Sequence, residues 1–240
     1  MTSDPRNCPF PRTSWTLLIE ARASDDHAKQ AYAEFARRYR RPILGYFFAL
    51  TRDRYQAEEL TQGFFEKLTA NRALLVSADP LHGTFRHYLK RTLANYWKSE
   101  LRYRGRQKRH ADGELSPDAW TGDGWEHLAL VATETPERAF HDAWVRSLLD
   151  ESLAQVREIC ERKNQVDHFR LFVGMYLCDS SEPPSWRVLG ASFGLDEKTA
   201  RSRSETVARH FRKILRESLR EETGSDASVD DELAALRAFL

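Results

Sequence analysis

The hydrophobic positions of the chain recur at intervals of three and four residues, and this spacing predicts a series of amphipathic helices. Regular patterns cover residues 28–50, 53–71, 85–102, the stretch from Pro136 onwards, and 166–177. Pro42 predicts a kink in the first of them. The pattern stops at 75–84, where Asp-Pro and His-Gly pairs favour a loop, and the prolines of residues 1–14 predict a flexible arm ahead of a short helix at 15–20. The sequence therefore predicts an all-α fold.

Residues 186–219 have the form of a helix-turn-helix. A short helix over 186–193 is followed by a turn at Gly194-Leu195 and by a longer helix that Asp196 caps. The start of the second helix of such a motif meets the major groove of DNA. The polar residues predicted there are Lys198, Arg201, Ser202 and Arg203.

Charge changes the picture, because a chain of net charge +1 divides into basic and acidic stretches. Nine Lys/Arg stand between Arg86 and Arg109 against one acid, Glu100. Residues 111–137 then hold seven acids and no Lys or Arg, 197–220 hold eight Lys/Arg against three acids, and 221–240 hold six acids against Arg237. This order predicts two basic modules joined by an acidic connector.

The basic helix at 85–102 has two faces. On a helical projection its inner positions are Phe85, Leu89, Leu93 and Tyr96, and its opposite face carries Arg91, Asn95, Lys98 and Arg102. Four aromatic residues alternate with the cations: Tyr88, Tyr96, Trp97 and Tyr103. Cations bind phosphate and rings stack on unpaired bases, so the helix predicts a site for single-stranded nucleic acid or for an opening duplex.

Several classes of protein lack support in the sequence. Cys8, Cys160 and Cys178 lie far apart and indicate neither a zinc site nor a disulfide framework, which favours a reducing cytoplasm. We expect no cofactor and no membrane segment, since no apolar run approaches the length of a signal peptide or a membrane helix. Gly-rich phosphate loops, HExxH, GxSxG and paired carboxylates are also missing, so a hydrolase or a kinase has no support in the sequence.

Together these parts resemble a bacterial RNA polymerase sigma factor of the sigma-70 family, of the extracytoplasmic-function type (group IV). The segment AEELTQGFFEKL at 57–68 is similar to the second conserved segment of the first sigma domain. FRHYLKRTLANYWKSELR at 85–102 resembles the segment that melts the promoter and binds its minus-10 element. LGASFGLDEKTARSRSE at 189–205 resembles the helix-turn-helix for the minus-35 element. The resemblance covers about 27–104 and 137–218.

The resemblance implies a non-enzymatic protein that binds core polymerase, recognises both promoter elements and promotes strand opening for transcription initiation. Its expected organisation has two helical domains joined by an acidic linker. The segments are an N-terminal arm and short helix (1–26), a region 2 helical bundle (27–104), the linker (105–136), a region 4 helix-turn-helix (137–220) and an acidic tail (221–240).

The resemblance also assigns roles to residues. Those expected to contact the clamp helices of the largest polymerase subunit are Glu58, Glu59, Gln62 and Phe65. Those expected at the minus-10 element are Arg91, Asn95, Lys98 and Arg102, with Asp79 and His82 near the pocket for a flipped base. Lys198, Arg201, Ser202 and Arg203 are expected to read the minus-35 duplex.

The chain departs from the family pattern in two places. Gly63 stands where an acid is usual and Thr61 where an aliphatic residue is usual. One hypothesis is that a Ser/Thr kinase phosphorylates Thr61 and restores the missing charge, and the alternative is an unmodified threonine. The tail, with DDELAALRAFL at 230–240, either docks on the second domain as an inhibitor or frays. An anti-sigma factor is a further partner that the resemblance allows.

Three other functions compete with this interpretation. A stand-alone helix-turn-helix regulator explains 186–220 but neither of the two earlier helices. A sigma-like anti-activator would act through protein contacts alone. An enzyme acting on nucleic acid needs clustered carboxylates or a nucleophile beside an array of arginines, whereas the acids here concentrate in the linker and tail.

Overall fold

The computed structural model describes residues 26–70, 85–107, 135–178 and 184–223, together with Val229 and Leu233. Within these ranges every regular element is an α-helix, which confirms the predicted fold class for this part of the chain. The helices are α1 (Asp26–Thr51), α2 (Arg54–Ala70), α3 (Phe85–Gln107), α4 (Pro136–Arg162), α5 (Val166–Tyr176), α6 (Trp186–Ala191) and α7 (Glu197–Thr223). The predicted arm, the helix at 15–20, the loop at 75–84, and most of the linker and tail lie outside the described residues.

Side-chain caps fix the starts of two helices where the sequence places them. The Asp53 carboxylate accepts a hydrogen bond from the Gln56 N–H at 2.9 Å, just after Arg52 has turned the chain with a φ of 55°. The Thr135 hydroxyl accepts one from the Arg138 N–H at 3.3 Å, with Pro136 in the first turn of α4. These caps satisfy N–H groups that have no partner inside the helix.

The end of α3 differs from the prediction. The helix continues to Gln107, three residues beyond the expected end of the first domain at 104. Gly105 does not stop it, because one glycine costs about 1 kcal/mol while the surrounding Arg and Gln residues favour helix.

The chain forms two compact units, which we call the first unit (Met1–Ser147 with Glu221–Gly224) and the second unit (Leu148–Arg220 with Ser225–Leu240). The first unit is built around α1, whose Phe35 and Tyr39 rings lie 6.1 and 5.1 Å from that of Phe85 on α3. Farther along α1, the Phe47 ring lies 6.4 Å from that of Phe64 on α2. Burial of these rings joins the three helices into one core.

The division between the units falls inside α4, whereas the sequence places a domain boundary at 137. A Cβ atom on Gly45 of α1 would lie 3.2 Å from the Ala139 carbonyl oxygen, so α1 and α4 approach each other closely. The Arg86 guanidinium of α3 lies 3.9 Å from the centre of the Trp144 ring. The first half of α4 is thus a fourth helical segment of the first unit.

The second unit has its own core. Its buried members are Val156, Cys160, Phe172, Val207, Ala208 and Ile214, with Leu153, Ile159, Phe169, Val173 and Phe211 packed against them. Val229, beyond the end of α7, is 1% exposed and Leu233 is partly buried. The unit therefore joins the second half of α4 to α5 and α7.

None of the helices in the described ranges combines the length and the apolar character that crossing a membrane requires.

Candidate functional site

The two predicted faces of α3 are confirmed. Phe85, Leu89, Leu93 and Tyr96 are buried, whereas Arg91, Asn95, Lys98 and Arg102 are exposed. The Arg102 Nε donates a hydrogen bond to the Lys98 backbone carbonyl oxygen at 3.2 Å, one turn earlier on the helix. Three cations and one amide thus point to solvent from about three turns of one helix, which suits a phosphate backbone with one base-reading group.

The predicted stacking set needs a correction. Tyr96 belongs to the core, where its ring lies 5.5 Å from that of Phe64 and 5.8 Å from that of Phe47. Tyr88 and Trp97 are partly buried, and Tyr103 is 53% exposed. Tyr96 cannot stack on a base because its ring is buried in the core. The three- and four-residue spacing of the helix already places it on the inner face.

Tyr96 also explains the unusual glycine of α2. A Cβ atom on Gly63 would lie 2.6 Å from the Tyr96 hydroxyl oxygen, closer than van der Waals contact allows. The Lys67 ammonium lies 5.0 Å from the centre of the same ring and donates to the Ser99 hydroxyl at 3.2 Å. Gly63 is therefore a packing position between α2 and α3, and a missing surface charge is not needed to explain it.

Because two tyrosines of the first unit are buried, we expect the protein to lose stability at alkaline pH. Burial, followed by the charge of Glu137, raises the pKa of Tyr46 to about 12, and burial, followed by that of Glu100, raises the pKa of Tyr96 to about 12. In the unfolded chain both hydroxyls ionise more easily, near pH 10. The contribution of each buried hydroxyl to the free energy of unfolding is therefore complete below pH 10, and it is lost between pH 10 and pH 12 by about 1.4 kcal/mol per pH unit.

Urea unfolding at pH 9, 10 and 11 measures this loss. Tyr96→Phe should make the free energy of unfolding fall less steeply with pH than in the wild type. Tyr103→Phe, at an exposed ring on the same helix, is the control that should keep the wild-type slope. Equal slopes for all three proteins would contradict the prediction.

The acidic face of α2 is largely exposed to solvent, and two of its carboxylates pair with arginines of the same chain. Glu59 and Gln62 are exposed and Glu58 is partly exposed. An Arg104 nitrogen lies 3.2 Å from a Glu59 carboxylate oxygen, and an Arg40 nitrogen lies 3.7 Å from one of Glu58. A basic partner at this face would exchange places with these arginines, at a cost of at most about 1 kcal/mol per exposed pair.

Phe65, the fourth residue predicted at this face, turns partly toward the core. Its ring lies 6.0 Å from that of Phe35 and 6.2 Å from that of Tyr32, and its carbonyl oxygen accepts a hydrogen bond from the Tyr32 hydroxyl at 2.8 Å. Part of its ring is left for a partner. The sequence analysis did not single out Tyr55, which is 81% exposed one helical turn before Glu59. Its four-residue spacing from Glu59 places it on the same face of α2, and this spacing could have identified it from the sequence.

Thr61 does not fit a phosphorylation site. Its side chain is 3% exposed, and its hydroxyl donates to the Ala57 carbonyl oxygen at 2.7 Å inside α2. A kinase needs access to that oxygen, and a phosphate there would place about two negative charges in the core. The structure thus favours the unmodified threonine, the alternative that the sequence left open.

The helix-turn-helix in the second unit has the predicted cap at Asp196 and the predicted turn at Gly194, and Ser185 adds a cap at the start of α6. The Ser185 hydroxyl accepts a hydrogen bond from the Val188 N–H at 3.4 Å, Gly194 takes a φ of 66°, and Asp196 accepts from the Thr199 N–H at 2.9 Å and from its hydroxyl at 2.6 Å. These bonds lower the pKa of the Asp196 carboxyl. Gly190 allows α6 and α7 to meet, because a Cβ there would lie 3.1 Å from that of Ala200.

The candidate recognition residues divide into two groups. Lys198, Arg201 and Ser202 are exposed on the first turns of α7. Arg203 is partly buried. Burial lowers the pKa of His168 on α5, and the nearby positive charge of Arg203 lowers that pKa further. The geometry therefore supports the first three as DNA contacts more strongly than Arg203.

Two further predicted residues, Asp79 and His82, lie outside the described residues. The contact of Arg86 with Trp144 was missed, because Arg86 counts as one more cation in a basic run although it is 8% exposed. Within the described ranges, no cluster of His, Cys, Asp and Glu side chains has the arrangement of a metal site. Comparisons of the chain with protein-family models, curated proteins and solved structures give no match. The residues and their geometry are therefore the basis for assigning a function.

Proposed function

We propose that this protein is a sigma factor of the sigma-70 family that brings core RNA polymerase to promoters and opens them. The observation that carries the proposal is the presence of three exposed surfaces on one chain. They are an acidic face on α2, a face of cations and one amide on α3, and polar residues at the start of α7 in a helix-turn-helix. A stand-alone regulator needs only the third surface.

The acidic face is the proposed polymerase site. Glu59 and Gln62 offer a carboxylate and an amide one turn apart, with Glu58 beside them, and this arrangement suits a helix that presents arginines. Binding would replace the Arg104 partner of Glu59 with a cation of the polymerase. The exchange keeps the carboxylate paired throughout, so the cost of docking is small.

The exposed face of α3 is the proposed minus-10 site. Arg91, Lys98 and Arg102 neutralise phosphates and fix the register of the strand, which gives affinity that weakens with salt. Asn95 stands between them and can make the paired hydrogen bonds that distinguish adenine. Of the four rings predicted for stacking, Tyr88 is partly exposed next to this face and could stack on a base that has left the duplex.

The start of α7 is the proposed minus-35 site. Lys198, Arg201 and Ser202 reach outward from a helix whose start is fixed by Asp196 and whose packing on α6 depends on Gly190. An arginine in the major groove can bind guanine through two hydrogen bonds, and lysine and serine add phosphate or base contacts. The site reads duplex DNA, whereas α3 would read an opened strand.

The first test is a pull-down with core RNA polymerase, comparing the wild type with Glu59→Arg. We expect the charge reversal to reduce binding at least about tenfold, because it replaces attraction by repulsion at an interface with a basic partner. Glu161→Arg is the matched control: Glu161 is 51% and Glu59 58% exposed, and each has an arginine partner, at 2.9 and 3.2 Å. Control binding should equal that of the wild type.

Run-off transcription on genomic fragments follows with the same proteins. Discrete start sites for the wild type, lost with Glu59→Arg and kept with Glu161→Arg, would support the sigma function and would reveal the promoter sequence. A wild-type protein that binds a specific duplex tightly without polymerase, and does not bind polymerase, would instead be a helix-turn-helix regulator.

A further inference from the structure

Helix α7 extends well beyond the residues proposed to read DNA. It has 27 residues and is therefore about 40 Å long, whereas Lys198, Arg201 and Ser202 occupy only its first turns. Arg209 lies about 16 Å along the helix axis from Lys198, and the major groove of B-form DNA is about 12 Å wide. A straight helix that reads bases with its start therefore reaches the phosphate strand bordering the groove before Arg209. In the homeodomain, a helix-turn-helix variant, the far end of the recognition helix contacts the DNA backbone in this way.

The exposed face of α7 stays basic beyond the recognition residues. On a helical projection Arg209 and Lys213 fall within about 60° of Lys198, and all three side chains are exposed. An Arg209 Nη donates to the Thr206 hydroxyl at 3.2 Å, and Arg209 has no acidic partner among the described residues. The Lys213 ammonium lies 3.8 Å from a Glu217 carboxylate oxygen. Because both members of this pair are exposed, an incoming anion can replace Glu217 at a cost of at most about 1 kcal/mol.

The end of α4 adds a third cation from a different helix. Cys160 of α4 is buried in one cluster with Val207 and Ala208 of α7, and Ile159 packs against that cluster. The Lys163 N–H donates to the Ile159 carbonyl oxygen at 3.1 Å, so Lys163 follows the last turn of α4 at the edge of this contact. The Lys163 side chain is exposed and, within the described part of the chain, has no acidic partner.

The pKa of His210 reflects the same three cations. His210 is partly buried on α7. Burial lowers its pKa, and the positive charges of Lys163, Arg209 and Lys213 lower it further. The charged groups that contribute to this shift are all cations, so the electrostatic potential at His210 is positive. Packing and charge thus agree that α4 and α7 place three cations in one region of the second unit.

We propose that Lys163, Arg209 and Lys213 form a phosphate-binding surface, which holds the DNA backbone next to the duplex that the start of α7 reads. We call these three residues the rear surface. The inference rests on the proposed binding of minus-35 DNA and adds a contact to it. Phosphate contacts of this kind carry no sequence information, but they supply affinity and fix the orientation of the recognition helix.

The composition of α7 favours DNA over an acidic protein as the occupant of the rear surface. Protein interfaces depend on large apolar or aromatic side chains at their centres. The large hydrophobic side chains that the described part of the second unit exposes are Val166, Tyr176, Leu177 and Val188, and none of them belongs to α7. The rear surface is also continuous with the recognition residues on one face of one helix, so a single duplex can contact both.

The salt dependence of binding tests the proposal, because each phosphate contact adds about 0.9 to the slope of log affinity against log salt concentration. The double variant Arg209→Gln/Lys213→Gln keeps residues that favour helix. We compare it with the wild type as the whole chain on a random-sequence duplex, and with core polymerase on the promoter that run-off transcription identifies. Between about 50 and 200 mM salt, the double variant should lose about tenfold less affinity than the wild type on either DNA. Lys163→Gln should reduce the slope by about 1.

The matched control is Arg157→Gln/Arg170→Gln, which removes the same number of charges from the second unit. The Arg157 and Arg170 side chains are 68% and 65% exposed, against 73% for Lys213, and each of the three has an acidic partner. The control should keep the wild-type slope on both DNAs. Arg201→Gln should instead weaken the preference for the promoter over the random-sequence duplex.

Equal slopes for the rear-surface variants and the wild type would overturn the proposal, and so would failure of the wild type to bind the random-sequence duplex at about 50 mM salt. Loss of polymerase binding in the double variant, with both slopes unchanged, would identify an acidic protein as the occupant and would also overturn it. A wild-type protein that binds neither polymerase nor a promoter overturns the proposed function. The random-sequence duplex measures the rear surface in that case too, so the two failures are distinguishable.

Discussion

Replacing Trp144 by alanine is expected to lower the free energy of unfolding of the first unit by about 3 to 5 kcal/mol, which is the usual cost of deleting a large buried aromatic side chain. The Trp144 side chain is 4% exposed and its ring supports the buried Arg86 at 3.9 Å. The substitution removes the apolar contact and leaves the Arg86 guanidinium with a cavity where the ring was. Both effects act on the contact between α3 and α4, so the first unit should lose stability.

Hydrogen exchange under increasing urea locates this loss, since it reports the opening of each helix separately. Amides of α1 to α3 should exchange at lower urea than in the wild type, while those of α5 and α7 should not change. Trp144→Phe is the conservative control, because a smaller ring still covers Arg86 and should retain part of the stability. Loss of protection in α5 and α7, with α1 to α3 unaffected, would show instead that the boundary lies ahead of α4, where the sequence analysis placed it.

The elements that sequence predicts well are those whose causes lie within a few neighbouring residues. The start of α4 follows from Thr135 and Pro136, and the turn before α7 follows from Gly194 and Asp196, because each cap or turn is a local hydrogen bond or a local backbone conformation. The faces of α3 follow from its period. These features are confirmed.

The features that sequence misses depend on a partner far along the chain. Tyr96 and Arg86 belong to a run that is basic and aromatic by composition, and only packing shows that one fills the core and the other lies against Trp144. Charge and spacing in the sequence show which residues could lie on the exposed face of a helix. Packing against other helices decides which of them are exposed in the folded protein. The exposure of Arg91, Asn95, Lys98 and Arg102 was predicted residue by residue because, among the described residues, these side chains lie on the side of α3 away from the core.

Gly63 gives the sharpest case, because two explanations predict opposite results for one substitution. If the position only lacks a charge, Gly63→Ala should stabilise α2 by up to about 1 kcal/mol through helix propensity. If the Tyr96 hydroxyl occupies the space, at 2.6 Å from the new Cβ, overpacking costs about 1 to 3 kcal/mol and the net effect is destabilising. The structure predicts the second result.

A double-mutant cycle with Tyr96→Phe separates these effects. Without the hydroxyl, the nearest atom to the new Cβ is the ring carbon that carried it, at 3.8 Å, which is ordinary van der Waals contact. Gly63→Ala should therefore destabilise the wild type and stabilise the Tyr96→Phe protein, with a coupling of about 1 to 3 kcal/mol measured by urea unfolding. Equal effects in both backgrounds would show that α2 and α3 adjust at this contact. A coupling of the expected sign would show that Gly63 is a packing position between α2 and α3, so that the lack of an acid at 63 needs no functional explanation.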